Sequence, residues 1–142
     1  SHMLEHLYWD EVPLALAEMR RVLKPAGFAL AWVPDLQAAA RLIAEDRLFD
    51  PIGTTPFGPL TAYDMVFSHR GATGRDKPWM AHHGGFTMKT LAQAHQAAGF
   101  ASIVSRSRLA GFDLQCLATR EAVPAELLQA LCLCFLVEPS LV

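Results

Sequence analysis

The motifs Leu4-Glu5-His6-Leu7, Leu23-Lys24-Pro25-Ala26-Gly27 and Phe28-Ala29-Leu30-Ala31-Trp32-Val33-Pro34-Asp35-Leu36 decide the fold of this chain. Between the first two motifs, apolar residues recur at the spacing of one helix face, which predicts a helix over 11–23 with a single buried stripe. Pro25 and Gly27 end that helix. The apolar run that follows predicts a parallel strand buried on both of its faces.

The remainder of the chain continues the α/β pattern. Asp35 is expected to cap a second helix over Leu36 to Leu48, with Leu36, Ala39, Ala40 and Ile43 on one face. Prolines and glycines then predict an irregular segment from Phe49 to Phe86, interrupted only by a short helix across Leu60 to Ser68. Thr87 is expected to cap a further helix that closes at Ala98-Gly99-Phe100.

Two strands and a final helix follow. Ser102 to Arg108 and Phe112 to Thr119 predict a hairpin joined by Leu109-Ala110-Gly111. The last segment, from Pro124 to Val137, predicts a helix that is apolar on nearly all sides. Such a helix must be buried on nearly all sides.

The composition indicates one domain with a large apolar surface. The 142 residues are 52% hydrophobic and 18% charged, against about 25% charged in an ordinary soluble domain. This shortfall predicts that a partner covers part of the surface. The net charge of −2, with both signs interspersed, gives no basis for binding nucleic acid or an anionic membrane.

The cysteines and the apolar runs bear on the compartment. Cys116, Cys132 and Cys134 lie in apolar runs without zinc-site spacing, so they are expected to be buried small hydrophobes in a reducing environment. No signal peptide is visible, and the longest apolar run, Ala130 to Val137, is far shorter than the ~20 residues that cross a bilayer. A cytoplasmic soluble protein is therefore expected.

The order of these motifs resembles the second half of a class I S-adenosylmethionine-dependent methyltransferase of the type 11-like group. The resemblance rests on Leu-Glu-His-Leu followed by Leu-Lys-Pro-x-Gly, and on His-x-Gly-Phe-Thr and Ala-Gly-Phe between His83 and Phe100. It covers roughly residues 4–119. Ala26 departs from the pattern, where the family often has glycine.

The resemblance implies a single domain over 1–142, with a truncated Rossmann-like fold. It implies a short mixed sheet in which strands equivalent to the fifth, seventh and sixth of the family lie side by side, flanked by helices. The donor-binding half would precede Leu4, and neither its glycine-rich turn nor an acidic ribose clamp occurs in the 142 residues. Ser1-His2-Met3 is either native sequence or the remnant of a cleaved histidine tag.

The resemblance also implies site residues. Leu4, Glu5 and His6 would border the methyl donor if a missing half completed the site; for Glu5 and His6 the alternative is a frayed, solvated N-terminus. Asp35 would face the acceptor as well as cap its helix. In the irregular segment, Tyr63, His69, Trp79, His82 and His83 would lie over the acceptor, with His82 or His83 as a general base; the alternative is that they pack loops or lie on the surface. No metal site is expected, because His69, His82 and His83 lack a recognised ligand spacing.

Three functions remain open on this evidence. The chain is the catalytically silent C-terminal portion of a methyltransferase, one half of a split enzyme, or a non-catalytic self-associating module. S-adenosylmethionine belongs to the parent family and is not expected to bind this chain alone; the acceptor is an unknown small molecule or other group. An uncovered edge of the strand at Gly27 to Val33 predicts a homodimer, formed by edge pairing or by exchange of the N-terminal helix or the Pro124 to Val137 helix.

Overall fold

A three-stranded sheet organises the fold in the computed structural model, which describes residues 1–108 and 112–136. The strands are β1 (Phe28–Pro34), β4 (Ile103–Arg108) and β5 (Asp113–Thr119), in the order β1-β5-β4. The last strand therefore lies between the other two, as predicted. β5 runs antiparallel to both neighbours, with Cys116 opposite Ala31 on one side and Ser105 on the other.

The sheet corrects two predictions. Among the described residues every strand pairing of this sheet is antiparallel, so the predicted mixed sheet is wrong, and so is the parallel setting of β1. β1 is also not buried on both faces, since Val33 is fully buried whereas Leu30 is 38% exposed. Among the described residues β1 lies at an edge of this sheet and pairs with β5.

One face of the sheet carries two helices, α1 (Val12–Val22) and α4 (Met88–Ala97). Leu16 of α1 and Leu91 of α4 are fully buried and belong to one core with Phe86 and with residues of β1 and β5. The predicted Thr87 cap is present and forms a capping box with Thr90. Gly99 ends α4 with a φ of +88°, a conformation that favours glycine.

The helix α2 (Leu36–Ala44) is shorter than predicted. Asp35 caps it as expected, since its Oδ1 accepts hydrogen bonds from the backbone N–H groups of Gln37 and Ala38 at 3.0 and 3.2 Å. The buried face differs from the predicted one, because Ala38, Ala39 and Leu42 are buried while Ala40 and Ile43 are exposed.

The segment 49–86 is more regular than predicted. It contains a two-stranded hairpin, β2 (Gly53–Thr55) with β3 (Gly58–Leu60), then α3 (Ala62–Phe67) and a 3-10 turn (Pro78–Met80). The predicted short helix is confirmed as α3, which begins with a Thr61–Asp64 capping box.

The helix α5 (Ala125–Phe135) packs on part of the second face of the sheet. Its buried cluster consists of Leu117, Cys132 and Leu136, and Leu133 is 63% exposed. The prediction that this helix is buried on nearly all sides is therefore wrong for the described part of the chain. Burial of Cys116 and Cys132 is confirmed, but Cys134 is exposed.

Two predicted features fall outside the described residues: the hairpin connection Leu109-Ala110-Gly111 and the end of the last helix at Val137. Within the described ranges, none of the helices combines the length and apolar character required to cross a bilayer.

Candidate functional site

A cleft of about 410 Å³ opens at the carboxyl end of β1. Its walls come from a 3-10 turn at Leu4–His6, from the β2–β3 hairpin and from α3. The polar side chains along it are those of His2, Glu5, His6, Thr55, Asp64, Ser68, His69, His82, Arg108 and Asp113. Glu5, His6, His69 and His82 are residues that the sequence singles out.

Backbone hydrogen bonds fasten the histidine-bearing loop onto the N-terminal turn. The carbonyl oxygen of Glu5 accepts from the N–H groups of His83 and Gly84, at 2.9 and 3.1 Å. The loop therefore crosses the turn, which places the ring of His82 edge-on to that of His6 with 4.8 Å between centroids. Main-chain hydrogen bonds thus bring the loop that carries His82 against the turn that carries Glu5 and His6.

Glu5 is buried, with 1% of its surface exposed. Its Oε1 lies 3.2 Å from His2 Nδ1, whereas its Oε2 is buried and has no hydrogen-bond partner among the described residues. Leu4 is also buried, at 2% exposure. The alternative of a frayed, solvated N-terminus is therefore wrong for Glu5, and His6 is half-buried.

The two imidazoles beside Glu5 are each oriented by a backbone carbonyl. His6 Nδ1 lies 3.1 Å from the oxygen of Ala81, and His82 Nδ1 lies 2.9 Å from the oxygen of Met65. A carbonyl oxygen only accepts hydrogen bonds, so each Nδ1 carries the hydrogen and each Nε2 has its lone pair free in the neutral ring. Burial lowers the pKa of His82, against smaller opposing contributions from Met65 and Glu5, which favours that neutral form.

These three side chains form a compact group of possible metal ligands. One ligand atom from each of Glu5, His6 and His82 lies within 4.8 Å of the other two. The sequence pattern missed this group because His82 is remote from the Leu-Glu-His motif and no ligand spacing connects them. The signal available was a glutamate directly after Leu4 in the Leu4–Leu7 motif, because a glutamate that is buried with such a neighbour needs a partner.

A closed ion pair forms another wall of the cleft. Arg108 donates from Nε to Asp113 Oδ1 at 3.0 Å, and from a terminal nitrogen to Oδ2 at 2.5 Å. These hydrogen bonds raise the pKa of Arg108, and Asp113 is 4% exposed. The guanidinium of Arg108 and the carboxylate of Asp113 are thus paired with each other.

A second polar network fixes α3. Asp64 Oδ1 accepts from the backbone N–H and the Nε of Arg70, at 3.0 and 2.9 Å, and Oδ2 accepts from the hydroxyl of Thr61 at 2.6 Å. Burial of Asp64 opposes ionisation, but the hydrogen bonds from Arg70 and Thr61 outweigh it and lower the pKa of Asp64 to about 2. This carboxylate therefore holds the loop after α3 in place.

His69 lines the cleft but uses both ring nitrogens within its own segment. Its Nδ1 accepts from the N–H of Gly71 at 3.0 Å, so in the neutral ring Nε2 carries the hydrogen. That nitrogen lies 3.1 Å from Thr55 Oγ1, whose own hydrogen goes to the carbonyl of Gly58. His69 thus ties the hairpin to the loop after α3.

The other predicted site residues lie outside the cleft. Asp35 uses Oδ1 to cap α2 and accepts from Ser107 at Oδ2, at 2.8 Å. Tyr63 stacks on Phe49 at 5.4 Å between centroids. Trp79 is 66% exposed, and His83 is exposed and stacks on Tyr8 at 4.2 Å.

No protein-family model matches the chain, and a comparison with curated proteins finds no significant match. The methyltransferase resemblance consequently rests on the order of the sequence motifs and stays a prediction.

Proposed function

We propose that this chain forms the acceptor side of an S-adenosylmethionine-dependent methyl-transfer site. The observation that carries the proposal is the convergence of Glu5, His6 and His82 in one cleft. The resemblance assigns the first two to the donor border and the third to the acceptor border, so their meeting is what such a site requires. Binding sites in open α/β sheets also lie outside the carboxyl ends of strands, which is where this cleft opens.

The strand arrangement supports the same proposal. The family places its last strand between the fifth and the sixth, and the order β1-β5-β4 agrees with that placement. On this assignment the fold is the later portion of a Rossmann-like methyltransferase. Helices α1 and α4 then occupy one face of the sheet, as flanking helices of that fold would.

Gly71 and Gly85 do not leave room for the methyl donor. A donor site needs glycines whose missing side chains leave room for the ligand. Here a Cβ on Gly85 would meet the side chain of Leu36 at 3.0 Å, and one on Gly71 would meet the carbonyl oxygen of Phe57 at 2.6 Å. Other residues of the chain occupy the space beside these glycines. The proposal therefore assigns donor binding to a sequence outside these 142 residues.

Within the cleft, His82 is the predicted base that remains available. Its Nε2 is free, whereas the nitrogens of His69 are both engaged and His83 lies outside. A neutral imidazole in this position accepts a proton from an acceptor hydroxyl. We expect the acceptor to be small, given the volume of the cleft.

The test compares the chain alone with the chain completed by a donor-binding half. Calorimetric titration of the chain with S-adenosylmethionine or S-adenosylhomocysteine is expected to give no binding. Coding sequence upstream or in a neighbouring gene that carries a Gly-x-Gly motif, expressed together with this chain, is expected to restore micromolar binding. Donor binding by the chain alone, or no such motif in either place, would overturn the proposal.

A self-associating, non-catalytic role is the second candidate. The observation that favours it is the apolar surface of α5, where Leu127, Leu133 and Phe135 are 47%, 63% and 44% exposed. That surface is apolar enough to be covered by a second copy. Absence of a donor-binding half in the experiment above would favour this role.

A further inference from the structure

The group formed by Glu5, His6 and His82 contains a buried carboxyl oxygen without a hydrogen-bond partner among the described residues. Glu5 is 1% exposed, and its Oε2 accepts no hydrogen bond from the described residues. Leaving a carboxylate oxygen buried and unpartnered is costly. We propose that Glu5, His6 and His82 bind a divalent transition-metal ion of the zinc type, with Glu5 Oε2 and the Nε2 atoms of both histidines as ligands.

Hydrogen bonds to backbone carbonyls orient both histidines for metal binding. Metal-binding histidines usually donate the other ring N–H to a carbonyl or carboxylate, which fixes the tautomer and the ring orientation. The carbonyls of Ala81 and Met65 accept those hydrogens here, at 3.1 and 2.9 Å. Both Nε2 lone pairs are thereby left for a ligand.

The spacing of the ligand atoms is compatible with a single ion. One possible ligand atom of each residue lies within 4.8 Å of the other two, and zinc bonds of about 2.0–2.2 Å bring tetrahedral ligands to roughly 3.4 Å apart. Each side chain must therefore move inward by about 1 Å or less. Attachment of the loop to Glu5 through the N–H groups of His83 and Gly84 keeps all three residues within that reach.

The donor set selects the class of ion. Two imidazole nitrogens and one carboxylate suit zinc and its neighbours cobalt and nickel, whereas calcium and magnesium prefer sites made largely of oxygen. Three protein ligands leave a fourth position open, as in catalytic zinc sites. Because Glu5, His6 and His82 all line the cleft, we expect a water molecule or the oxygen of a hydroxyl or carboxylate ligand to enter that position from the cleft.

This inference does not depend on the proposed methyl transfer. With the ion bound, His82 is a ligand and cannot accept a proton. The ion would then activate a bound hydroxyl in a different way, by lowering the pKa of that hydroxyl so that it loses its proton to solvent. Metal binding is measured without donor or acceptor. It can therefore fail while the methyl-transfer proposal stands, and the reverse is equally possible.

The test is titration of the purified, metal-free chain with zinc chloride by calorimetry, and with cobalt chloride by visible absorption. We expect one zinc ion per chain and the d–d absorption of low-coordinate cobalt. Glu5→Gln and His82→Gln keep the size of each side chain and are expected to weaken zinc binding by at least about 100-fold. His83→Gln is the matched control, because this exposed neighbour lies outside the group and should bind as the wild type does.

Circular dichroism of the metal-free variants establishes that they are folded before titration. Zinc is also expected to raise the thermal midpoint of the wild type and of His83→Gln, because an ion that binds only the native state stabilises it. Failure of the wild type to bind zinc would overturn the proposal. Equal binding by Glu5→Gln, His82→Gln and His83→Gln would also overturn it, since the ion would then be held by other groups.

Discussion

The core under α1 and α4 and the segment 49–86 are stabilised by different forces. In the core, Leu16, Leu91 and Phe86 are fully buried against the sheet, and the contacts are apolar. In the segment, specific polar contacts hold the chain, notably Asp64 with Arg70. Buried apolar residues recur along a helix or strand at a regular spacing that can be read from the sequence. The residues of a polar network have no such regular spacing. The comparison teaches that the cleft depends on contacts that periodicity does not reveal.

The largest expected effect is in the core. Leu16→Ala removes a fully buried side chain from α1 and is expected to lower the free energy of unfolding by about 2–5 kcal/mol, through lost burial and a residual cavity. Leu14→Ala is the control on the same helix, where the side chain is 73% exposed and about 0.5 kcal/mol or less is expected. Urea unfolding followed by circular dichroism measures both; equal losses would mean that α1 does not pack as described.

A smaller, pH-dependent effect is expected in the segment. The pKa of Asp64 is lowered in the folded chain to about 2, from an ordinary value of 3.8. Its stabilisation is therefore complete above pH 4 and is lost as the pH falls towards 2. The shift corresponds to about 2 kcal/mol at neutral pH.

The variant Asp64→Asn tests the direction of this pH dependence of stability. The difference in unfolding free energy between wild type and variant should be constant from neutral pH down to the ordinary pKa and should shrink below it. Asp50→Asn is the control, because Asp50 forms an exposed pair with Arg47 and such pairs contribute at most about 1 kcal/mol. The cost of Leu16→Ala should not vary over this range. A parallel pH dependence in wild type and Asp64→Asn would contradict the assignment.

The smallest expected effect is on dimerisation, from a substitution in the edge strand of the sheet. Among the described residues β1 pairs with β5 alone, and its other edge receives one N–H, from His2 to the carbonyl of Trp32 at 2.7 Å. We expect a homodimer that pairs along this edge. Leu30→Lys places a charge there and should weaken dimerisation about tenfold, or 1.4 kcal/mol.

Light scattering at micromolar concentration measures the dimer. Leu14→Lys adds the same charge to an exposed position of α1 and should leave dimerisation unchanged. A wild-type monomer would rule out self-association. Disruption by Leu14→Lys alone would instead favour exchange of the N-terminal helix over edge pairing.

The sequence predicts the parts of the fold that depend on local pattern. The helix over 11–23 and the Asp35 and Thr87 caps were predictable, because periodicity and capping residues act over a few positions. The strand order β1-β5-β4 was expected only from the family resemblance, since local pattern does not determine which strands pair. The β2–β3 hairpin was missed because its glycines and prolines resemble chain breakers. It forms nonetheless, since Gly58 adopts a φ of +116° and the hydroxyl of Thr55 closes the turn.

The candidate site was predicted only in part. Glu5, His6, His69 and His82 were each singled out, and the structure brings them to one cleft. Their grouping could not be predicted, because it depends on backbone bonds between residue 5 and residues 83 and 84. The exposed surface of α5 was missed for a related reason: an apolar helix indicates a need for burial but not which molecule provides it.

The unequal burial of the three thiols provides a means of observing that surface directly. Burial raises the pKa of Cys116 to about 11, and Cys132 is 3% exposed, whereas Cys134 is open to solvent on α5. Because the thiolate is the reactive form, a maleimide dye at neutral pH should attach first at Cys134. The natural sequence thus offers one site for a fluorescent probe, whose emission would report when α5 becomes covered.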